Sequence, residues 1–105
     1  MWKARQKSVM LVKQILWYLV AGTRGGETRG NIINAVSERP ANTHQLAQRL
    51  KLDYKTVQYH LQILVENNVL SVVKRGEYGA VYFLSSEMEE NLPLFREIWE
   101  KIGKK

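Results

Sequence analysis

Residues 42–68, NTHQLAQRLKLDYKTVQYHLQILVENN, decide the fold. They read as two short helices joined by a tight turn. Asn42 or Thr43 caps the first helix, whose apolar positions are Leu46, Ala47 and Leu50. Lys51-Leu52-Asp53 makes the connection, with Leu52 plugging the angle between the helices and Asp53 capping the second. The second helix runs from Tyr54 to about Glu66, with Val57, Leu61, Leu64 and Val65 at helical spacing. Its other face carries Tyr54, Lys55, Thr56, Gln58, Tyr59 and Gln62. This is the layout of a helix-turn-helix, whose second helix is placed to enter the major groove of DNA. Glutamine amides can bond bidentately to adenine there, and Tyr, Thr and Lys near the helix start can hold phosphates. Thr43 and His44, in the first turn of the preceding helix, join the expected contact set. From Tyr54 to Asn68 the only formal charges are Lys55 and Glu66. Such a helix reads by hydrogen bonds and shape, and attraction to the phosphate backbone has to come from elsewhere.

After Asn67-Asn68, a left-handed stop, come two β-branched and aromatic runs, residues 69–75 and 80–84. Gly76-Glu77-Tyr78-Gly79 between them is a glycine-bounded turn. A hairpin directly after a recognition helix is the wing of a winged helix. Lys74, Arg75 and Tyr78 at its tip are expected on the minor groove or flanking phosphates. Before the helix-turn-helix, Thr28 to about Arg39 reads as a helix with Ile32, Ile33 and Val36 inward and Pro40 ending it. Arg24 and Arg29 flank the glycine-rich loop at 22–26, in reach of a DNA backbone. The loop lacks the GK[ST] and the preceding strand of a phosphate-binding loop.

Both ends of the chain are over-apolar for a single small domain. A helix from about Arg5 to Ala21 carries one stripe of Val9, Val12, Leu16, Leu19 and Val20. Met10, Leu11, Ile15, Trp17 and Tyr18 cover much of its remaining surface. A helix apolar on more than one side must bury more than one side. At the other end, Ser86-Glu87-Met88-Glu89 fits a capping box and Pro93 fits the first position of a restarted helix. Met88, Leu92, Phe95, Trp99 and Ile102 then form a seam. The expectation is a symmetric homodimer joined through Val9, Val12, Leu16, Leu19, Phe95, Trp99 and Ile102.

The chain of 105 residues is read as one domain: an N-terminal helix (1–22), a winged-helix core (28–84) and a C-terminal helix (86–102). The fold class is mainly α with a β-hairpin wing. A formal charge of +6 favours a polyanionic partner. Residues 1–30 contribute six Lys or Arg against Glu27, so the positive field is strongest at that end. There are no cysteines, which excludes disulfides and thiolate metal sites, and two histidines are too few for a closed zinc site within one chain. No metal and no cofactor are expected. The basic head followed by an apolar run resembles a signal peptide. Lys13 and Gln14 interrupt it, however, and the unbroken run from Ile15 to Ala21 is too short to span a bilayer. A cytoplasmic, nucleoid-associated protein without a membrane role is expected. No nucleophile, base and orienting group recur at usable spacing, so catalysis is not.

Leu46, Ala47, Leu50, Leu52, Thr56, Val57, His60, Leu61, Leu64, Asn68 and Val69 fall on a pattern that closely resembles ArsR-like winged-helix transcriptional regulators, particularly small archaeal ones. The resemblance covers about residues 28–84 and implies a homodimer that binds operator DNA and represses or tunes transcription. It does not extend to thiolate metal sensing, because the cysteine pairs of the sensing members are missing. Asn68 stands where glycine is usual, and Tyr59 where Arg or Ser is frequent, so base preference is not carried over. Two other readings share the fold: an architectural chromatin-type DNA-binding protein with little sequence preference, and a winged-helix module that binds protein. A small-molecule effector at the dimer seam, lined by Trp17, Phe95 or Trp99, is left open.

Overall fold

The computed structural model describes residues 10–74 and 79–104. The first helix, α1, spans residues 10–21; it is α-helical to residue 16 and widens to a π-turn over Trp17–Ala21. It is followed by α2 (Gly26–Glu38), α3 (Thr43–Leu50), α4 (Tyr54–Glu66), the hairpin β1 (Leu70–Lys74) and β2 (Ala80–Leu84), and α5 (Ser86–Glu90) and α6 (Leu92–Lys101). Val9, Arg75 and Tyr78, expected to be functional, lie outside the described residues.

Local chemistry sets the boundaries. Asn42 caps α3 in a reciprocal box: its side chain accepts from the Gln45 N–H at 2.8 Å, and Gln45 Oε1 accepts from the Asn42 N–H at 2.9 Å. Lys51, at φ 57°, turns the chain out of α3. The Asp53 carboxylate then accepts from both the N–H and the hydroxyl of Thr56, at 3.0 and 2.7 Å, and opens α4. Asn68, at φ 58°, closes it, a left-handed position that Asn tolerates. The strands pair antiparallel with Leu70 opposite Leu84, and Ala41 adds a single bridge to Tyr82 through bonds of 3.1 and 2.8 Å.

Two boundaries differ from the sequence reading. The helix expected from Thr28 begins at Gly26. Gly25, at φ 86°, makes the turn, and Gly26 sits against α1, where a Cβ would lie 2.1 Å from the Val20 carbonyl oxygen. Backbone contact with α1, and not loop freedom, accounts for this glycine. At the C-terminal end the cap is Ser85, one residue before the expected Ser86; its hydroxyl accepts from the Met88 N–H at 3.0 Å. Pro93 falls within the first turn of α6 as expected.

The core draws on every helix and on β1: Leu16 and Leu19 from α1, Ile32 and Ile33 from α2, Leu46, Val57, Leu61 and Leu64 from the helix-turn-helix, Leu70 from β1, and Met88, Phe95 and Ile98 from α5 and α6. Gly30 gives the ring of Trp99 room to lie on α2; a Cβ there would come within 2.0 Å of it. Trp99 stacks in turn on Phe95, ring centroids 5.6 Å apart. The expected dimer set therefore needs correction. Val12, Leu16, Leu19, Phe95 and Trp99 are buried in the protomer's own core and Ile102 packs against it. Burying each such side chain is worth about 1.5–3 kcal/mol to the single chain. The apolar face left over on α1 is Met10, Leu11, Trp17 and Tyr18, 45–65% exposed.

Candidate nucleic-acid interface

The recognition helix divides as its sequence pattern requires. Val57, His60, Leu61 and Leu64 of α4 are buried, while Tyr54, Lys55, Gln58, Tyr59 and Gln62 face outward. The two glutamines are one turn apart on the same side but are not equivalent. Gln62 donates from Nε2 to Glu66 Oε2 at 3.2 Å. Gln58 has no hydrogen-bond partner among the described residues, so its donor and acceptor both stay available. Tyr59 projects at 62% exposure, further than Tyr54 at 43%.

At the start of the helix, Tyr54 packs against His44 of α3, ring centroids 5.0 Å apart. Asn42, His44, Tyr54 and Gln58 share one open concavity with Gly79, Ala80 and Tyr82 of the wing. The start of α3, the start of α4 and the β2 side of the wing thus converge on one surface. Lys74, exposed at the end of β1, extends it. Two members of the expected set contribute less than anticipated. Thr43 is buried, because Asn42 takes the capping position and turns Thr43 into the first helical residue. The Thr56 hydroxyl is committed to Asp53, whose carboxylate is held below its ordinary range by the Thr56 hydroxyl and N–H.

Arg29 is not in reach of a DNA backbone. It is 4% exposed. Its Nε donates to the Leu19 carbonyl at 2.8 Å, Nη1 to His60 Nδ1 at 3.2 Å, and Nη2 to the Thr23 hydroxyl and the Arg24 carbonyl. No carboxylate joins this cluster among the described residues. A signal was present in the sequence: Arg29 sits three and four residues before Ile32 and Ile33, in phase with the inward stripe. His60 is buried by the same cluster, and its pKa is lowered, first by burial and then by the Arg29 charge.

Among the described residues no group of His, Asp or Glu is assembled to hold a metal ion, and no helix is long and apolar enough to cross a membrane. Residues 26–72, from α2 to β1, match the model of the bacterial regulatory protein family arsR. The chain is a winged helix-turn-helix whose segment from α2 to β1 resembles that family. Its architecture is that of solved transcription regulators. The transcriptional regulator BldR from Sulfolobus solfataricus superposes with a TM-score of 0.67 at 12% identity, over 95% of this chain and 74% of that one. A MarR transcriptional regulator from Methanosarcina mazei Go1 gives 0.68 at 16%, over 96% and 75%. Reduced HlyU from Vibrio cholerae gives 0.61 at 16%, over the full length of both chains. At these identities the likeness is one of fold. No curated protein matches the chain in sequence.

Proposed function

We propose that the chain is a dimeric, sequence-reading DNA-binding protein that regulates transcription. The polar face of α4 carries the reading: Tyr54, Lys55, Gln58, Tyr59 and Gln62 stand outward beside the wing, exposed among the described residues. In this reading α4 enters the major groove, where Gln58 presents its free amide to base edges and Tyr59 supplies shape. Lys55, His44 and Lys74 hold phosphates around it, joined by Arg75 and Tyr78 of the wing. With a formal charge of +6, much of the affinity is electrostatic and falls as salt is raised.

The second copy is supported by α1. Met10, Leu11, Trp17 and Tyr18 recur at helical spacing along one stripe and remain exposed after the protomer's own core is complete. Contiguous apolar surface of this kind marks an interaction site. A protein of this type works in the cytoplasm, at the nucleoid.

Selection of bound duplexes from a random-sequence pool, followed by footprinting, tests the proposal. The expected product is a two-fold symmetric site with half-sites about 34 Å apart. Even coverage of unrelated duplexes would instead indicate an architectural protein. No binding to any duplex at low salt would leave a protein-interaction module.

A further inference from the structure

Arg29 touches three separate parts of the molecule through one side chain. Its Nε holds the Leu19 carbonyl in the π-turn of α1, Nη2 holds the loop at Thr23 and Arg24, and Nη1 holds His60 in the middle of α4. The packing around the last contact is close. A Cβ on Gly25 would lie 2.8 Å from the His60 ring and 3.3 Å from Arg29 Nη1. On α4, His60 directly follows Tyr59, whose ring meets the imidazole edge-on with centroids 5.1 Å apart. A buried cation is thus fixed at one end by α1 and the loop and at the other by the back of the recognition helix.

We infer that Arg29 is a positioning residue for the recognition helix, and that it holds α4 in register only while His60 is neutral; acid breaks the link and weakens DNA binding. The function proposed above underlies the second half of this inference. A guanidinium has donors and no acceptor, so His60 Nδ1 must accept, and the ring carries its proton on Nε2. Protonation at Nδ1 removes that lone pair and sets two cations 3.2 Å apart in a buried site. Arg29 keeps its three other acceptors, so His60 is the partner that moves, and Tyr59 moves with it.

The elements packed against α4 carry the charged or titratable groups Glu27, Arg29 and Glu38 on α2, His44 and Arg49 on α3, and Lys74 on β1. Among these described residues Arg29 is the one hydrogen-bonded to His60, and no carboxylate is hydrogen-bonded to the ring to favour the imidazolium. The adjoining loop adds Arg24, which contributes its carbonyl to Arg29.

The full-length chain is titrated against a fluorescent duplex taken from the selection above, from about pH 7.5 down to about 4.5, because His60 takes up its proton below the ordinary histidine value. Wild type is expected to lose affinity about tenfold on acidification, within the usual range of coupling between sites. His60→Gln, which keeps an acceptor and cannot take up the proton, is expected to bind like wild type at the upper pH and to follow a flat profile. Both proteins contain His44, so the difference between their curves isolates His60. Arg29→Lys, which keeps the charge but not the fork, is expected to bind about tenfold more weakly at the upper pH. Superimposable profiles for wild type and His60→Gln would overturn the proposal.

Two measurements need neither variant nor duplex. Nitrogen NMR of the wild-type imidazoles is expected to show the Nε2–H tautomer at His60, and an Nδ1 proton at the upper pH would overturn the link. Amide exchange, corrected for its intrinsic pH dependence, is expected to show α4 losing protection relative to α6 on acidification; equal protection would overturn the positioning role. Failure of every duplex to bind would remove the DNA-reading function, while these two measurements still decide whether Arg29 positions α4.

Discussion

Arg29 and His60 meet at 3.2 Å inside the protein although both are basic. The contact is stable because the guanidinium is satisfied elsewhere by two carbonyls and a hydroxyl, and because burial and the Arg29 charge both disfavour the imidazolium. A stability consequence follows. Below the ordinary histidine value of 6.5 the unfolded chain binds a proton at His60, and the folded chain does not until its lowered pKa is reached. The unfolded state binds more protons in that window, so stability rises with pH across it and is level above it. Urea midpoints are expected to fall as pH is lowered through 6.5, and His60→Gln is expected to flatten that limb. A second limb belongs to Asp53. Its lowered pKa contributes stability that is present above 3.8 and is lost as pH falls further.

The two glutamines of α4 separate base reading from scaffolding. Gln58 has no hydrogen-bond partner among the described residues, and Gln62 is tied to Glu66. Gln58→Ala is therefore expected to cost about 1–3 kcal/mol on the selected site and to relax base preference at one position per half-site. Gln62→Ala is expected to cost less. Lys74→Ala is expected to weaken all duplexes alike and to lower the salt slope by about one per protomer. Parallel titrations against the selected duplex and point variants of it check all three. Equal losses for Gln58→Ala on every duplex would mean that the helix is docked by another face.

The helix-turn-helix and wing were legible because each boundary has a local cause: a cap at Asn42, a cap at Asp53, a left-handed Asn68, β-branched runs on either side of a glycine turn. The same locality explains the misplacements. Whether an apolar face meets its own core or a partner is a tertiary matter: phase separates Val12, Leu16 and Leu19 from Met10 and Leu11, but both sets are apolar and neither is marked as the inward one. Arg29 illustrates the opposite error. Its charge suggested the surface, while its phase with Ile32 and Ile33 pointed inward, and the phase prevailed because carbonyls and an imidazole stood ready to receive its donors.

The leftover face of α1 gives a direct test of assembly. Trp17 and Tyr18 are 45% and 62% exposed, so Trp17→Glu with Tyr18→Glu removes little from the protomer's own core. Such surface changes usually shift stability by within about 0.5 kcal/mol each. The doubly substituted chain is expected to keep its helical circular dichroism and to sediment as a monomer at concentrations where wild type is a dimer. Binding to a two-half-site duplex is expected to weaken more than binding to a single half-site. A dimer that survives both substitutions would place the second copy elsewhere.

Close packing at two glycines predicts a ranked pair of defects. At Gly30 the added carbon of alanine would come within 2.0 Å of the Trp99 ring, which stacks on Phe95 and has no open side to move toward. Overpacking of this kind costs about 1–3 kcal/mol. At Gly26 the obstacle is the Val20 carbonyl oxygen at 2.1 Å, a backbone atom of the π-turn that cannot rotate away. Gly26→Ala is therefore expected to destabilise more than Gly30→Ala and to separate α1 from α2, pulling Leu19 away from Arg29. Gly79→Ala is the useful contrast. No atom of the described residues lies within 4 Å of its new carbon, and its φ of +76° makes backbone strain the main cost, of roughly 1–2 kcal/mol. Thermal melts of the three variants, ordered Gly26, Gly30, Gly79 from largest loss to smallest, are the expected result. An inverted order would mean that α1 yields more readily to α2 than a contact between backbones allows.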